Sequence, residues 1–83
     1  MIRADKRKKA LTAIHRIILL ARFMAYESKP AAEIAKVLDC AEILPTLIAA
    51  DDDRTDEFCK HLQGFADTFP SGVGILQEFD RGQ

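Results

Sequence analysis

Apolar residues recur every three or four positions along most of the chain, which is the period of an α-helix. In the first such segment, from about Ala4 to Glu27, they form one wide face that we expect to pack in the core. The segment ends before Pro30, because the residue that precedes a proline is pushed out of helical geometry. The positions assigned to this buried face are Leu11, Ile14, Ile17, Ile18, Ala21, Met24 and Ala25.

A second helical pattern extends from Pro30 to Ala50. We expect Ser28 or Lys29 to cap this helix, with Pro30 in its first turn. Pro45 lies inside the pattern, where a proline removes a backbone hydrogen bond and costs roughly 3 kcal/mol. The sequence therefore predicts a second helix that is kinked or split near Pro45. Its expected buried face consists of Ile34, Val37, Leu38 and Ala41.

A third helix is predicted to begin after Asp53, a good N-cap residue, and to end near Thr68. Its apolar positions follow a spacing of four, three and four, at Phe58, Leu62, Phe65 and Phe69. Residues 70–74 break the chain, and residues 75–79 supply one further apolar helical turn. These elements predict an all-α fold, a bundle of three principal helices with a short C-terminal helical turn, in a single domain over residues 1–83.

Composition narrows the class of protein further. Hydrophobic residues at 48% and charged residues at 30% exclude a disordered chain, and two cysteines exclude a dense disulfide framework. No apolar run reaches the roughly 18 residues of a membrane span, and the basic N-terminal stretch lacks the apolar length of a secretory signal. We therefore expect a cytoplasmic protein with no membrane partner. With 83 residues, its core gives only marginal stability unless association adds to it.

Charge divides the chain into a basic first part and an acidic remainder. Residues 1–29 carry eight Lys and Arg against two acids, a net charge of +6, whereas residues 30–83 carry four against eleven, a net charge of −7. Such a division indicates an anionic partner for the basic part or pairing of the two parts, within one chain or between two. The residues that would hold a nucleic acid or another polyanion are Lys6, Arg7, Lys8 and Lys9.

One short segment resembles part of a known DNA-binding motif. Residues 32–38, AEIAKVL, resemble the first helix of a helix-turn-helix. A recognition helix with polar or basic side chains should follow such a helix, but no Lys or Arg occurs between Lys36 and Arg54. This departure affects the part that would contact bases, so an ordinary helix pair is the simpler interpretation.

Motifs for catalysis or metal binding are missing from the sequence. There is no nucleophile elbow, phosphate-binding loop or His-Glu-x-x-His pattern, so we expect no catalytic residues and no enzyme activity. Cys59 and His61 are close in sequence, but on a helix they point about 200° apart. His15 and Cys40 have no ligand partner at suitable spacing, so we expect no metal and no cofactor.

The first helix also carries apolar residues on the side opposite its expected core face. Leu19, Phe23 and Tyr26 are spaced by four and three residues, and a helix that is apolar on two sides is normally covered on both. The cover is either the chain's own C-terminal apolar residues, Ile75, Leu76 and Phe79, or another molecule. Aromatic residues and arginine are enriched at the centres of protein interfaces. The residues assigned to this contact are His15, Arg16, Leu19, Arg22, Phe23 and Tyr26.

From these patterns we hypothesise a small, non-catalytic helical interaction or regulatory protein. Its expected partner is a second copy of itself, giving a homodimer through the back of the first helix, or else a different protein. Binding of a nucleic acid or another polyanion through the basic N-terminal residues is the alternative hypothesis.

Overall fold

The computed structural model describes residues 2–81, and the regular secondary structure in that range is entirely helical. The four helices are α1 (Ala4–Tyr26), α2 (Ala31–Ala49), α3 (Thr55–Thr68) and α4 (Gly72–Asp80). The expected all-α fold is therefore confirmed. The last element is longer than the single turn expected from the sequence, since it is a helix of nine residues.

Each helix packs against two others. Helix α1 contacts α2 and α4, and α3 contacts the same two helices. Their apolar residues form one core cluster, which also takes in Ile2 from the extended segment before α1. The rings of Phe58 in α3 and Phe79 in α4 stack at 4.9 Å between centroids. The apolar positions expected for α3 lie in this core, with Phe69 partly buried at its edge.

The buried side of α1 differs from the one expected. Its apolar residues are Ala10, Ala13, Ile17, Ala21 and Met24. Leu11 and Ile18, which were assigned to the core, are instead 51% and 46% exposed, and Ala25 is exposed as well. Small side chains let neighbouring helices approach closely, so the alanines face inward and the larger residues are turned outward. Ile14 is half-buried between the two sides.

Helix α2 runs without interruption through Pro45, so the split helix is excluded. Pro45 is exposed on the surface, and it has no backbone N–H to donate to the carbonyl of Ala41. Two apolar side chains of α2, Leu38 and Ile43, are also exposed, at 44% and 47%. Leu38 was expected in the core, but the buried side of α2 is centred on Val37 and Leu44.

The turn between α1 and α2 has a left-handed residue. Ser28 has φ 58°, and the N–H of the following Lys29 donates to the carbonyl of Met24 at 3.0 Å. This pattern is the Schellman motif, which usually places glycine at the left-handed position. Ser28 therefore ends α1 rather than capping α2. The N-cap position of α2 is Pro30, without a side-chain cap.

The first residue of α3 is hydrogen-bonded to the segment that precedes α1. The carboxylate of Asp53 accepts the backbone N–H of Thr55 at 2.9 Å, and it also accepts the Thr55 hydroxyl. The same hydroxyl oxygen accepts the backbone N–H of Arg3 at 3.0 Å. The expectation that Asp53 is the N-cap is therefore wrong: Arg54 holds that position without a side-chain cap, and Asp53 binds the first residue of the helix from one position further out. The hydrogen bond from the Thr55 hydroxyl lowers the pKa of Asp53.

Candidate protein-interaction site

One side of α1 exposes a cluster of large apolar residues, which we call the outer face. Within residues 2–81, eight large hydrophobic side chains are exposed, and five of them belong to α1. At about 100° per residue, these five span an arc of roughly 140° around the helix, so they lie side by side. They are Leu11, Ile18, Leu19, Phe23 and Tyr26. Phe23 and Tyr26 are the most exposed of the five, at 57% and 77%.

Polar residues are interspersed among the apolar ones. His15 and Arg22 are exposed on the same side of the helix, within the arc that the apolar residues span. Arg16 lies at the edge of the outer face, and its guanidinium pairs with the carboxylate of Glu78 in α4. Five of the six residues predicted for the contact are therefore exposed together, while Arg16 is turned toward α4.

The chain's own C-terminal residues do not cover the outer face. Ile75 and Phe79 are buried in the core cluster, and Leu76 packs partly against it. Leu19 and Phe23 remain 44% and 57% exposed beside them. Among residues 2–81, the internal cover considered from the sequence is thus not formed.

Two residues of the outer face were missed from the sequence. Leu11 and Ile18 were assigned to the core because the apolar residues of α1 extend almost around the helix. The available signal was the spacing of the alanines at positions 10, 13 and 21, which marks a side where a neighbouring helix can approach closely. Placing that side inward turns Leu11 and Ile18 toward the solvent.

The basic residues at the start of α1 do not form one exposed cluster. Lys6 is only 8% exposed, and its Nζ donates to the carbonyl oxygen of Phe79 at 2.7 Å while lying 5.1 Å from the centre of that ring. The Nζ of Lys9 donates to the carbonyl of Arg81. Both ammonium groups thus lie at the C-terminal end of α4, where the helix dipole favours positive charge. Of the predicted polyanion-binding residues, Lys6 is inside the fold, and Arg7 and Lys8 are exposed.

The cysteines and histidines form no metal site. No group of three metal-ligating side chains comes together in the described part of the chain. Cys40 and His61 line a shallow groove between α2 and α3. Burial raises the pKa of the Cys40 thiol, and burial is also the main cause that raises the pKa of Cys59. Both thiols are therefore less readily ionised than a free cysteine, and so less reactive.

No helix within residues 2–81 combines the length and the apolar composition needed to cross a bilayer. Comparisons with protein-family models, with curated proteins and with solved structures find no match to this chain.

Proposed function

We propose that this chain is a non-catalytic interaction protein that self-associates through the outer face of α1, two copies pairing as an antiparallel homodimer. The observation that carries the proposal is the set of five large apolar side chains exposed together on one helix. Scattered apolar residues are normal on a protein surface, but clustered ones mark a contact with another molecule. Phe23, Tyr26 and Arg22 are residue types that interfaces favour.

Charge along α1 favours an antiparallel arrangement of two copies. The N-terminal half of the helix carries the exposed cation Arg7. Glu27 follows its C-terminal end, and no basic residue occupies the last turn, so the negative end of the helix dipole is uncompensated. If two α1 helices cross near Leu19 in opposite directions, the basic start of each lies beside Glu27 and the negative dipole end of the other. This placement of Arg7 beside Glu27 and the negative dipole end supports a second copy as the partner.

The apolar area that the dimer contact would bury sets the expected affinity between two copies. Covering a half-exposed Leu, Ile or Phe stabilises by about 1 kcal/mol, and two copies contribute ten such side chains. Association costs at least about 4 kcal/mol in lost translational and rotational freedom. At most about 6 kcal/mol therefore remains, which corresponds to a Kd no tighter than about tens of micromolar. We thus expect a reversible dimer whose population depends on protein concentration.

Sedimentation equilibrium from about 1 μM to about 1 mM, which brackets this Kd, tests the proposal. The weight-average mass should rise from that of one chain to that of two. Leu19→Asp combined with Phe23→Asp should keep the chain monomeric throughout, because two buried carboxylates at the contact oppose association.

The matched control is Ile43→Asp, which places the same charge at a residue of α2 that is 47% exposed. It should leave the dimer intact, and circular dichroism should show native helicity in all variants. A wild-type chain that stays monomeric at 1 mM contradicts the proposal. Loss of the dimer in Ile43→Asp to the same degree contradicts the location of the contact.

A further inference from the structure

A groove lies between α1 and α4, on a different side of α1 from the centre of the outer face. It encloses about 260 Å³, which is small for a ligand site. Its apolar lining comes from Ala13, Ile75 and Phe79, all buried core residues whose edges face the groove. On α1 the lining extends from Lys8 to Arg16, which is about 12 Å along the axis at 1.5 Å per residue.

Cationic side chains surround this apolar floor. Among residues 2–81, the charged residues that line the groove are Lys8, Lys9, Arg16 and Arg81, with Glu78 as the only carboxylate. Four cations and one carboxylate give the lining a net charge of +3, although the whole chain has a net charge of −1. An anion is therefore the kind of ligand that this lining attracts.

The positive charge is concentrated at one end. At the Arg16 end, the ion pair with Glu78 neutralises the guanidinium. At the other end, the Nζ of Lys9 donates to the backbone carbonyl of Arg81, which holds the two residues together. An ammonium group has three N–H donors, so Lys9 keeps two for a ligand. Lys8 makes no hydrogen bond or ion pair among residues 2–81.

We propose that this groove binds a small amphipathic anion, a medium-chain alkyl carboxylate, with its headgroup held by Lys8, Lys9 and Arg81. The alkyl chain lies on Ala13, Ile75 and Phe79 and points toward the Arg16–Glu78 pair. A nucleic acid or polyphosphate fits less well, because it needs cations along its whole length, whereas here only one end has uncompensated positive charge. The length of the groove matches the chain of octanoate.

Titration of the ¹⁵N-labelled full chain with octanoate, below its micellar concentration, tests the proposal. We expect saturable binding of one octanoate per chain, with amide shifts concentrated in residues 8–16 and 75–81. Octanol and octylamine have the same alkyl chain without the negative charge, and both should bind at least tenfold more weakly. Equal affinity for all three compounds overturns the proposal.

A matched pair of variants tests the headgroup site. Lys8→Gln removes a lining cation that the fold does not use, and it should weaken octanoate binding about fivefold, as expected for a lost charge-assisted hydrogen bond. Arg7→Gln removes the same charge at the neighbouring exposed residue, which does not line the groove, and it should change the affinity less than twofold. Equal weakening by the two variants shows a general effect of charge and overturns the assigned site.

This inference does not depend on the proposed dimer. The same titration on the Leu19→Asp, Phe23→Asp double variant should give an unchanged affinity, whether or not the wild-type chain self-associates. Octanoate-induced shifts centred on Leu19 and Phe23 in the wild-type chain contradict the groove as the binding site.

Discussion

The two sides of α1 carry different kinds of apolar residue. Toward the core lie three alanines with Ile17 and Met24, whereas the solvent side presents Leu11, Ile18, Leu19, Phe23 and Tyr26. Most of the large apolar surface of this helix is therefore outside the fold. The difference indicates that small side chains are selected on the inner side, where helices approach closely, whereas the outer side keeps large apolar side chains exposed.

Two adjacent isoleucines lie on opposite sides of this division and give the largest expected difference. Ile17 is fully buried and Ile18 is 46% exposed, so the same substitution tests both sides. Ile17→Ala should destabilise the chain by about 3 kcal/mol, because it removes buried methyl groups and leaves a cavity. Ile18→Ala should cost less than about 1 kcal/mol in the monomer, since its side chain is already half in water.

Urea unfolding at low protein concentration measures both values, and the Leu19→Asp, Phe23→Asp background removes any contribution from association. Similar losses for the two isoleucines would show that α1 buries a different side from the one described. Greater destabilisation by Ile18→Ala would reverse the assignment of inner and outer sides.

Helices α3 and α4 also approach closely, at Gly72, and a substitution there should change stability less than Ile17→Ala does. A Cβ added to Gly72 would lie 2.5 Å from the ring of Phe65, whereas a Cβ on Gly64 would meet nothing within 4 Å. Gly72→Ala should therefore destabilise by about 2 kcal/mol through overpacking. Gly64→Ala, at an exposed position inside a helix, should stabilise by about 0.5–1 kcal/mol. Thermal unfolding should show a lower midpoint temperature for Gly72→Ala and a higher one for Gly64→Ala. Stabilisation by both substitutions would contradict the close contact at Gly72.

The smallest effect concerns the link between the start of the chain and α3. The hydrogen bond from Thr55 lowers the pKa of Asp53 below its ordinary value of 3.8. A carboxyl whose pKa is lowered by folding adds stability above its unfolded pKa, and this stability is lost as the pH falls through the folded pKa. Asp53→Asn should therefore reduce the loss of stability between about pH 5 and pH 2.

Urea unfolding midpoints measured between about pH 5 and pH 2 show how steeply the stability of each variant falls with pH. Asp51→Asn is the matched control, because it removes the same charge two residues away from an exposed position that donates and accepts no hydrogen bond within residues 2–81. An acid slope that falls equally in both variants would show a general charge effect instead of a specific role for the Asp53–Thr55 contact.

The sequence was sufficient for most helix boundaries but insufficient for the orientation of α1. Its period and the positions of Pro30 and Pro70 predicted where the helices lie, since these features act locally. The side of α1 that is buried depends on how closely α2 and α4 approach, and apolar residues on both sides left that undecided. Of the kinked or split helix that Pro45 predicted, the split is wrong, since α2 is continuous and residues on both sides of Pro45 pack in the core.

The candidate site could likewise be predicted only where it depends on local spacing. The grouping of Leu19, Phe23 and Tyr26 follows from spacing alone, so it could be predicted. The placement of Arg16 depends on Glu78, which is 62 residues away in the chain, and that of Lys6 depends on the carbonyl of Phe79, 73 residues away. Contacts of this range are set by tertiary packing, for which a local pattern has no signal.

The contact between Lys6 and the carbonyl of Phe79 joins the first helix to the last. A ribosome makes α1 before α4, so the carbonyl that accepts from Lys6 is produced 73 residues after Lys6 itself. Until then, α1 can form its hairpin with α2 but keeps the surface that α4 will cover exposed. Completion of this fold therefore waits for α4, and a nascent chain stopped before α4 exposes the apolar and basic residues of α1 that α4 would otherwise cover.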